Sequence, residues 1–179
     1  AFNTPEDIFI ADDDTIYLVD TGNSRIIHMD SKSNRLIDVI GDEDGPGKLS
    51  EPKGVFVKND GTVYVADTKN SRIVIFNKKG KFVRELKAPD SPLLGKDFSY
   101  SPSRVILDKR DYMFIVSDGN TQGLMQIDQQ GEFKGFYGAN HVGFSWKRLF
   151  VKLVATDDQK QQLSTVKALA YSNMDQDNE

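Results

Sequence analysis

The sequence contains no cysteine and only two histidines among its 179 residues. Without cysteine, the chain can form neither disulfide bridges nor thiolate metal sites. This composition fits a reducing compartment, and it fits equally a bacterial secreted protein that uses no disulfides. The compartment therefore does not follow from composition.

Two further absences restrict the kinds of partner. The 23 basic and 27 acidic residues give a formal net charge of −4, whereas polyanion-binding surfaces are clustered and basic. Nucleic acid is therefore not expected as a partner. No apolar run reaches the length of about 18 residues that a membrane-spanning helix needs, so no direct insertion of this segment into a membrane is predicted.

The most prominent feature that is present is an internal repeat. Residues 17–26 read YLVDTGNSRI and residues 64–73 read YVADTKNSRI. A more divergent third unit can be aligned on the prolines that open each repeat, Pro5, Pro52 and Pro102. Each unit contains four short runs rich in β-branched and aromatic residues, separated by polar turns, as is typical of strands in hairpins.

Four short strands repeated at this period predict the blades of a β-propeller. We therefore predict an all-β domain over 1–143, with three four-stranded antiparallel blades at about 3–41, 50–87 and 100–138. Known propellers use about four to eight blades. The chain is expected to be part of a six-bladed ring; the alternatives are two copies that associate to complete a ring, or C-terminal helices that cap the stack.

The β pattern stops after residue 138. Trp146, Leu149, Phe150 and Leu153 recur at helical spacing, which predicts a helical segment over 144–179. We expect this segment to pack on the propeller or to lead to missing blades. A membrane-surface helix is less favoured, because such helices are strongly basic and this segment is charge-balanced.

The repeated DTxNSR stretch is interpreted as structural. Asp20 and Arg25 flank a four-residue turn and should face each other across a hairpin, and Asp67 and Arg72 repeat the arrangement. The third unit has Ser117 and Gln122 at these positions, so both charges are lost together, as a direct contact predicts. An asparagine occurs in every turn, which we attribute to its ability to bond its own backbone and to its tolerance of left-handed geometry; these residues are Asn23, Asn70 and Asn120.

With these stretches and the connector GDEDGPGKLSEPKGVFVKNDGTVYVAD, the chain resembles NHL-repeat proteins over residues 3–138. The resemblance implies a β-propeller, usually six-bladed, that binds through the face carrying the inter-blade connectors and the turns between second and third strands. Family members include RNA- and protein-binding modules, extracellular sensor domains, peptide-amidating lyases and lactonase-type enzymes, so the fold does not fix the function.

The segment GFYGANHVGF and the helix after it are similar to secreted or envelope-anchored NHL proteins of Gram-positive bacteria. That resemblance implies an extracellular or cell-envelope location. A cytoplasmic location is the alternative.

Candidate ligand-binding residues lie at the start of each first strand, where a propeller channel opens. They are Glu6 and Asp7 in the first unit, Lys53 in the second and Arg104 in the third. A mixed set of charges suits a polar ligand or a protein loop. The alternative is that these are ordinary solvated charges.

No catalytic residue, metal site or cofactor is predicted. His28 lies in a third strand where the other units have Ile75 and Gln126, and His141 lies in the loop that leaves the third unit. The run Asp12–Asp14 occupies a hairpin turn and lacks the ligand spacing of a calcium loop. A calcium or zinc ion in the channel would need ligands from further blades.

We therefore expect a non-catalytic binding module that engages a protein, peptide or glycan through the connectors 42–51 and 88–101. The alternative is an enzyme of the lactonase or amidating-lyase type, with a metal in the propeller channel.

Overall fold

A computed structural model describes residues 1–120 and 122–137 of the chain. The chain divides into two units, Ala1–Asn140 and His141–Glu179, and all the described residues belong to the first. The helical segment predicted over 144–179, and His141, lie outside the described residues.

The described residues form three separate four-stranded sheets, each built from strands consecutive in sequence and antiparallel to their neighbours. The prediction of three four-stranded antiparallel blades is therefore confirmed. Blade 1 contains β1 (Pro5–Ile10), β2 (Thr15–Asp20), β3 (Arg25–Asp30) and β4 (Leu36–Ile40); blade 2 contains β5 (Gly54–Val57), β6 (Val63–Asp67), β7 (Arg72–Phe76) and β8 (Phe82–Leu86); blade 3 contains β9 (Pro102–Leu107), β10 (Met113–Ser117), β11 (Leu124–Ile127) and β12 (Phe133–Tyr137).

The turn between the first two strands of each blade has the same backbone bend. The fourth residue after the first strand has a positive φ in all three blades, at Asp14 (62°), Gly61 (86°) and Asp111 (63°). Aspartate and glycine tolerate this left-handed region better than most residues. The polar composition of these turns thus follows from the backbone geometry of a tight hairpin.

In blades 1 and 2 the turn between the second and third strands contains one turn of 3-10 helix, at Thr21–Asn23 and Thr68–Asn70. The residues in the left-handed region are the serines that follow, Ser24 (φ 54°) and Ser71 (φ 50°). The explanation of the asparagines from left-handed backbone is therefore wrong for the first two turns. Their side-chain amides instead donate to the preceding aspartates, at 2.9 Å in both turns.

These two aspartates, Asp20 and Asp67, are fully buried, and each carboxylate accepts three hydrogen bonds. The carboxylate of Asp67 accepts from the Ser50 backbone N–H at 2.7 Å, from the Asn70 side chain and from Arg72 Nε at 2.7 Å. Asp20 accepts the equivalent three bonds, from Asn3 N–H, Asn23 and Arg25. Each carboxylate therefore ties the turn and the third strand of its blade to the segment that enters the blade.

Blade 3 has a neutral version of the same junction. The Ser117 hydroxyl accepts from the Ser101 N–H at 2.8 Å and donates to the Ser99 carbonyl at 3.1 Å. A hydroxyl of this kind needs no basic partner. Blade 3 has Ser117 where the other blades have aspartate and Gln122 where they have arginine. Because both charges are replaced, no buried charge is left unpaired at this junction.

The blades pack face to face, with β5 of blade 2 adjacent to both β1 and β9. Blade 2 presents one buried apolar face to blade 1, which contributes Tyr17, Val19, Ile26 and Ile40 to the shared core. The residues of blade 2 on this face are Val55, Val57, Val63, Val65, Val74 and Phe76.

A repeated hydrogen bond also joins each blade to the next, and we call it the threonine latch. The hydroxyl of Thr21 donates to the Pro52 carbonyl at 2.7 Å, and that of Thr68 donates to the Pro102 carbonyl at 2.8 Å. Both threonines are buried. At the equivalent position blade 3 has Asp118, whose carboxylate cannot donate when ionised.

No helix within the described ranges is long and apolar enough to cross a membrane.

We predict that Asp67→Ala lowers the free energy of unfolding by about 3–5 kcal/mol, because it leaves Arg72 facing a junction without its buried partner. Ser117→Ala, at the same position of blade 3, removes only neutral hydrogen bonds and should cost about 1–2 kcal/mol. Urea unfolding followed by circular dichroism measures both. Equal losses in the two variants would contradict a charge-dependent junction.

Candidate functional site

The predicted ligand-binding residues lie at the end of the sheets where the first strands β1, β5 and β9 begin. We call this place the inner edge. Arg104, from blade 3, donates through its guanidinium to the backbone carbonyls of Lys53 and, at 3.2 Å, Glu6. One side chain thus connects the first strands of all three blades. Arg104 contributes to holding the blades together, a use that the sequence analysis did not predict.

The carboxylate of Asp7 is directed into the interface between blades 1 and 2. Its Oδ2 accepts a hydrogen bond of 3.1 Å from the Val55 backbone N–H. Burial raises the pKa of Asp7, and the bond from Val55 and the positive charge of Arg104 only partly oppose this effect. Asp7 is therefore an interface residue with a disfavoured charge.

A half-exposed ion pair lies beside these residues. Lys53 Nζ is 3.1 Å from Asp118 Oδ2, which joins blade 2 to blade 3. Burial alone would raise the pKa of Asp118, but hydrogen bonds from Ser103 and Lys53, with the charges of Lys53 and Arg104, lower it overall. The sequence analysis missed Asp118 because it read that residue only as part of a turn, although the replacement of the latch threonine by an acid was visible.

The close approach of β5 to β9 depends on Gly54. A Cβ at this position would lie 2.6 Å from the Ser103 carbonyl oxygen and 3.0 Å from the Arg104 Cα. Both are backbone atoms that cannot move aside without shifting the strand. The short distance between the strands is what lets Arg104 reach the carbonyls of the neighbouring blades.

We call Glu6, Asp7, Lys53, Arg104 and Asp118 the inner-edge cluster. Asp7 and Arg104 bond to backbone groups, and Lys53 and Asp118 pair with each other. Glu6, Lys53 and Asp118 are exposed or half-exposed and carry both signs of charge. The cluster therefore combines charges bonded to the protein backbone with charges that remain accessible.

The cluster does not fit a metal site. In the described part of the chain no three His, Cys, Asp or Glu side chains are grouped so that they could hold a metal ion. Two of the five members of the cluster are cations, which oppose the binding of another cation. A channel metal would therefore need further ligands from outside residues 1–120 and 122–137.

His28 is placed as a strand residue in the interior of blade 1. Its ring stacks on Tyr17, with centroids 4.1 Å apart and an interplanar angle of 11°. Burial lowers the pKa of His28, although Asp13 and Asp38 oppose the shift. Its Nε2 is buried without a hydrogen-bond partner, and its neutral form is therefore favoured.

The acidic run at the first hairpin is bonded as a turn. Asp13 Oδ1 accepts from the Thr15 N–H at 3.1 Å and from the Thr15 hydroxyl at 2.7 Å, and Asp14 pairs with Lys32 at 2.6 Å. These contacts are local and lie at the end of the blade opposite the inner-edge cluster, since the turn follows the last residue of β1.

A separate small cavity of about 200 Å³ lies on the outer strands, between the connector 41–47 and the turn before β8. Its lining combines acidic groups, Asp38, Glu43 and Asp44, with Lys81 and the ring of Phe82. Small-molecule sites are usually larger, about 300–1,000 Å³. Lys81 and Lys48 already pair with Glu43 and Asp44.

The sequence is similar to one known family model, the SMP-30/Gluconolactonase/LRE-like region, over residues 8–95. No curated protein sequence matches the chain.

Many solved structures share the fold. Catalytically inactive virginiamycin B lyase of Staphylococcus aureus is 19% identical with a TM-score of 0.55, and it covers 74% of this chain and 40% of its own. Hydrazine synthase of Kuenenia stuttgartiensis is 13% identical with a TM-score of 0.58, over 75% and 35%. The WD40 propeller domain of Doa1 is 13% identical with a TM-score of 0.50, over 65% and 34%.

These similarities establish the class of the protein: the described sheets are blades of a β-propeller. At such low identities the likeness concerns the fold alone. The chain spans about two-fifths of the length of virginiamycin B lyase. The narrower assignment to NHL-repeat proteins stays a prediction.

We predict that Asp7→Asn raises the free energy of unfolding at neutral pH. A raised native pKa means that wild-type stability is lost as the pH rises through that pKa, and asparagine cannot ionise. The difference between variant and wild type should disappear below the unfolded pKa, near pH 4. Urea unfolding at several pH values measures it.

Asp118→Asn is the matched control, because the pKa of Asp118 is lowered. Here wild-type stability is present above the unfolded pKa and is lost as the pH falls through the native pKa. This variant should therefore be slightly destabilised at neutral pH, by less than about 1 kcal/mol for so exposed a pair. A loss for Asp7→Asn at neutral pH equal to that of Asp118→Asn would refute the assignment.

Proposed function

We propose that this chain is the ligand-binding part of a larger, six-bladed β-propeller and that it engages a protein, peptide or glycan without catalysing a reaction. The observation that carries the proposal is the exposed half of the inner-edge cluster. Glu6 and Lys53 lie where the first strands of blades 1 and 2 begin, and Asp118 follows β10 at the same end of the sheets; together they present acidic and basic groups.

The surrounding surface supports the proposal. The first strands begin at the same end of the sheets as the turns after β2, β6 and β10 and the connectors 41–53 and 87–101. We call this end the loop face. Its connectors are largely exposed, and loops held by a rigid scaffold are where binding residues concentrate.

The bonding of the cluster favours binding over catalysis. A general acid or base needs an accessible group with a pKa tuned towards neutrality. Asp7, whose pKa is raised, is turned into the interface, and the pKa of the more accessible Asp118 is lowered. The exposed groups therefore keep fixed charges, as recognition of a polar surface requires.

The chain is proposed to work outside the cell or in the cell envelope, as its resemblance to secreted NHL-repeat proteins implies. The cytoplasm is the alternative. The net negative charge speaks against nucleic acid as the ligand.

The second candidate is an enzyme of the lactonase or amidating-lyase type. Its support is the similarity of residues 8–95 to the SMP-30/Gluconolactonase/LRE-like region. Such an enzyme would need channel ligands from further blades. Metal analysis of the full-length protein for calcium and zinc, with a test of that protein for hydrolysis of a simple aromatic lactone, distinguishes this enzyme from a binding module.

Selection on immobilised protein tests the binding proposal, with a phage-displayed random peptide library and an array of defined glycans as probes. We expect ligands whose affinity falls about tenfold, or 1.4 kcal/mol, in Lys53→Ala. Lys79→Ala is the matched control, because Lys79 is exposed in the turn between β7 and β8, at the opposite end of the blade. Ligands that respond equally to both variants, or none from either probe, would refute the proposal.

A further inference from the structure

The small cavity between blades 1 and 2, which we call the outer pocket, has room for one side chain. Its volume of about 200 Å³ is below that of most small-molecule sites, but a cavity of about 150 Å³ can hold a benzene ring. Phe76 and Phe82 line the pocket, and the connector passes close to them at Gly47, where a Cβ would lie 3.0 Å from Phe76 Cε1. The outer pocket can therefore accept a single aromatic ring.

The interface between blades 2 and 3 has an aromatic ring in the corresponding place. Ser50 and Ser101 are equivalent, since each donates its N–H to the side chain at the end of the second strand of its blade. Three residues earlier, the first connector has Gly47 and the second has Phe98. The ring of Phe98 packs on Phe136 of β12, with centroids 6.5 Å apart. The second connector thus places an aromatic side chain on the outer strand of blade 3.

The strand surfaces next to the two connectors also correspond. In blade 2, Phe82 is paired with Phe76. In blade 3, Phe133 is paired with Ile127 in the same way. The connector that enters blade 2, residues 41–53, contains no aromatic residue. The first interface therefore has the aromatic strand surface, but its own connector supplies no ring to pack on it.

The rim of the outer pocket carries negative charge. Asp38, Glu43 and Asp44 line the pocket, with Lys81 as the one basic residue. Glu43 and Asp44 are 81% and 92% exposed, and ion pairs so exposed contribute little. Within the described part of the chain the Asp38 carboxylate accepts one hydrogen bond, from the Val39 N–H at 2.9 Å. The charge of the rim therefore favours a ligand that is cationic as well as aromatic.

We propose that the outer pocket binds an aromatic side chain of a peptide in which a positive charge lies beside the aromatic residue. The inference rests on the proposed function, because it names a peptide as the ligand of the binding module. The pocket is nevertheless separate from the inner-edge cluster, since it lies on the outer strands.

Titration of the 15N-labelled chain with 2-phenylethylammonium, followed by NMR, tests the pocket directly. The backbone amide signals of three glycines that line it, Gly45, Gly47 and Gly80, report binding. We expect a saturable shift of these signals with a dissociation constant of about 1 mM, which is a binding energy per atom that small ligands reach.

Two further compounds separate the contributions of ring and charge. Phenylacetate has the same ring with a negative charge, which the acidic rim repels. Ethylammonium has the positive charge without the ring, so it gains no apolar burial. Each should bind at least about tenfold more weakly than 2-phenylethylammonium.

Glu43→Gln combined with Asp44→Asn removes two exposed charges from the rim and should weaken binding of 2-phenylethylammonium about threefold. Asp90→Asn combined with Asp97→Asn is the matched control. It makes the same change of net charge at exposed residues of the second connector, and it should leave the affinity unchanged.

Tripeptides with blocked termini extend the test to the proposed ligand. Lys-Phe-Lys should shift the same glycine signals, whereas Lys-Ala-Lys and Glu-Phe-Glu should bind at least about tenfold more weakly.

The absence of a saturable shift at the three glycines would overturn the inference. Equal affinities for 2-phenylethylammonium and phenylacetate, equal effects of the two double variants, or equal binding of the three tripeptides would overturn it as well. These measurements report on the outer pocket, whereas the selection with Lys53→Ala reports on the inner-edge cluster. A failure of the pocket is therefore distinguishable from a failure of the proposed function.

Discussion

The architecture depends on a buried carboxylate at the end of the second strand. Asp67 accepts three hydrogen bonds at once, from the turn, from the third strand and from the segment that enters the blade. A fully buried charged group is tolerated only when it is paired and hydrogen-bonded within the protein. The junction therefore has one low-energy arrangement, and the connector before blade 2 has to pass through it. Asp20 imposes the same condition on residues 1–4.

The residue after the aspartate extends this order from one blade to the next. Thr68 follows Asp67, and its hydroxyl reaches the Pro102 carbonyl of blade 3 while the carboxylate stays within blade 2. The Asp-Thr pair thus specifies both the closure of a blade and the position of its neighbour. In blade 3 the pair is Ser117 and Asp118. Ser117 makes the hydrogen bonds that close its own blade. Asp118 pairs with Lys53 of blade 2 and adds a charge to the loop face. At this position blade 3 therefore has a half-exposed acid where blades 1 and 2 have a buried threonine.

The sequence was sufficient to predict the sheets, because the 47-residue repeat and the alternation of apolar runs with polar turns can be recognised without knowledge of long-range contacts. It also placed Glu6, Asp7, Lys53 and Arg104 at the ends of the first strands, since the repeat aligns those positions. Their bonding could not be predicted in the same way. The contact of Arg104 with the Glu6 carbonyl spans 98 residues and depends on how closely three sheets approach. Asn23 was explained by backbone preference, whereas its role comes from a buried acceptor three residues earlier.

In the proposed binding function, the features that cost the inner-edge cluster stability would serve recognition. Asp7 gives up hydration for one backbone hydrogen bond, and Gly54 gives up a side chain so that two strands can approach. Both features reduce local stability, and both bring the ends of the first strands closer together. The backbone then sets the positions of the residues that carry the remaining charges. Binding of a ligand would therefore cost little side-chain and loop freedom. Preorganisation of this kind increases affinity without any additional contact, which is consistent with a surface whose exposed groups are few.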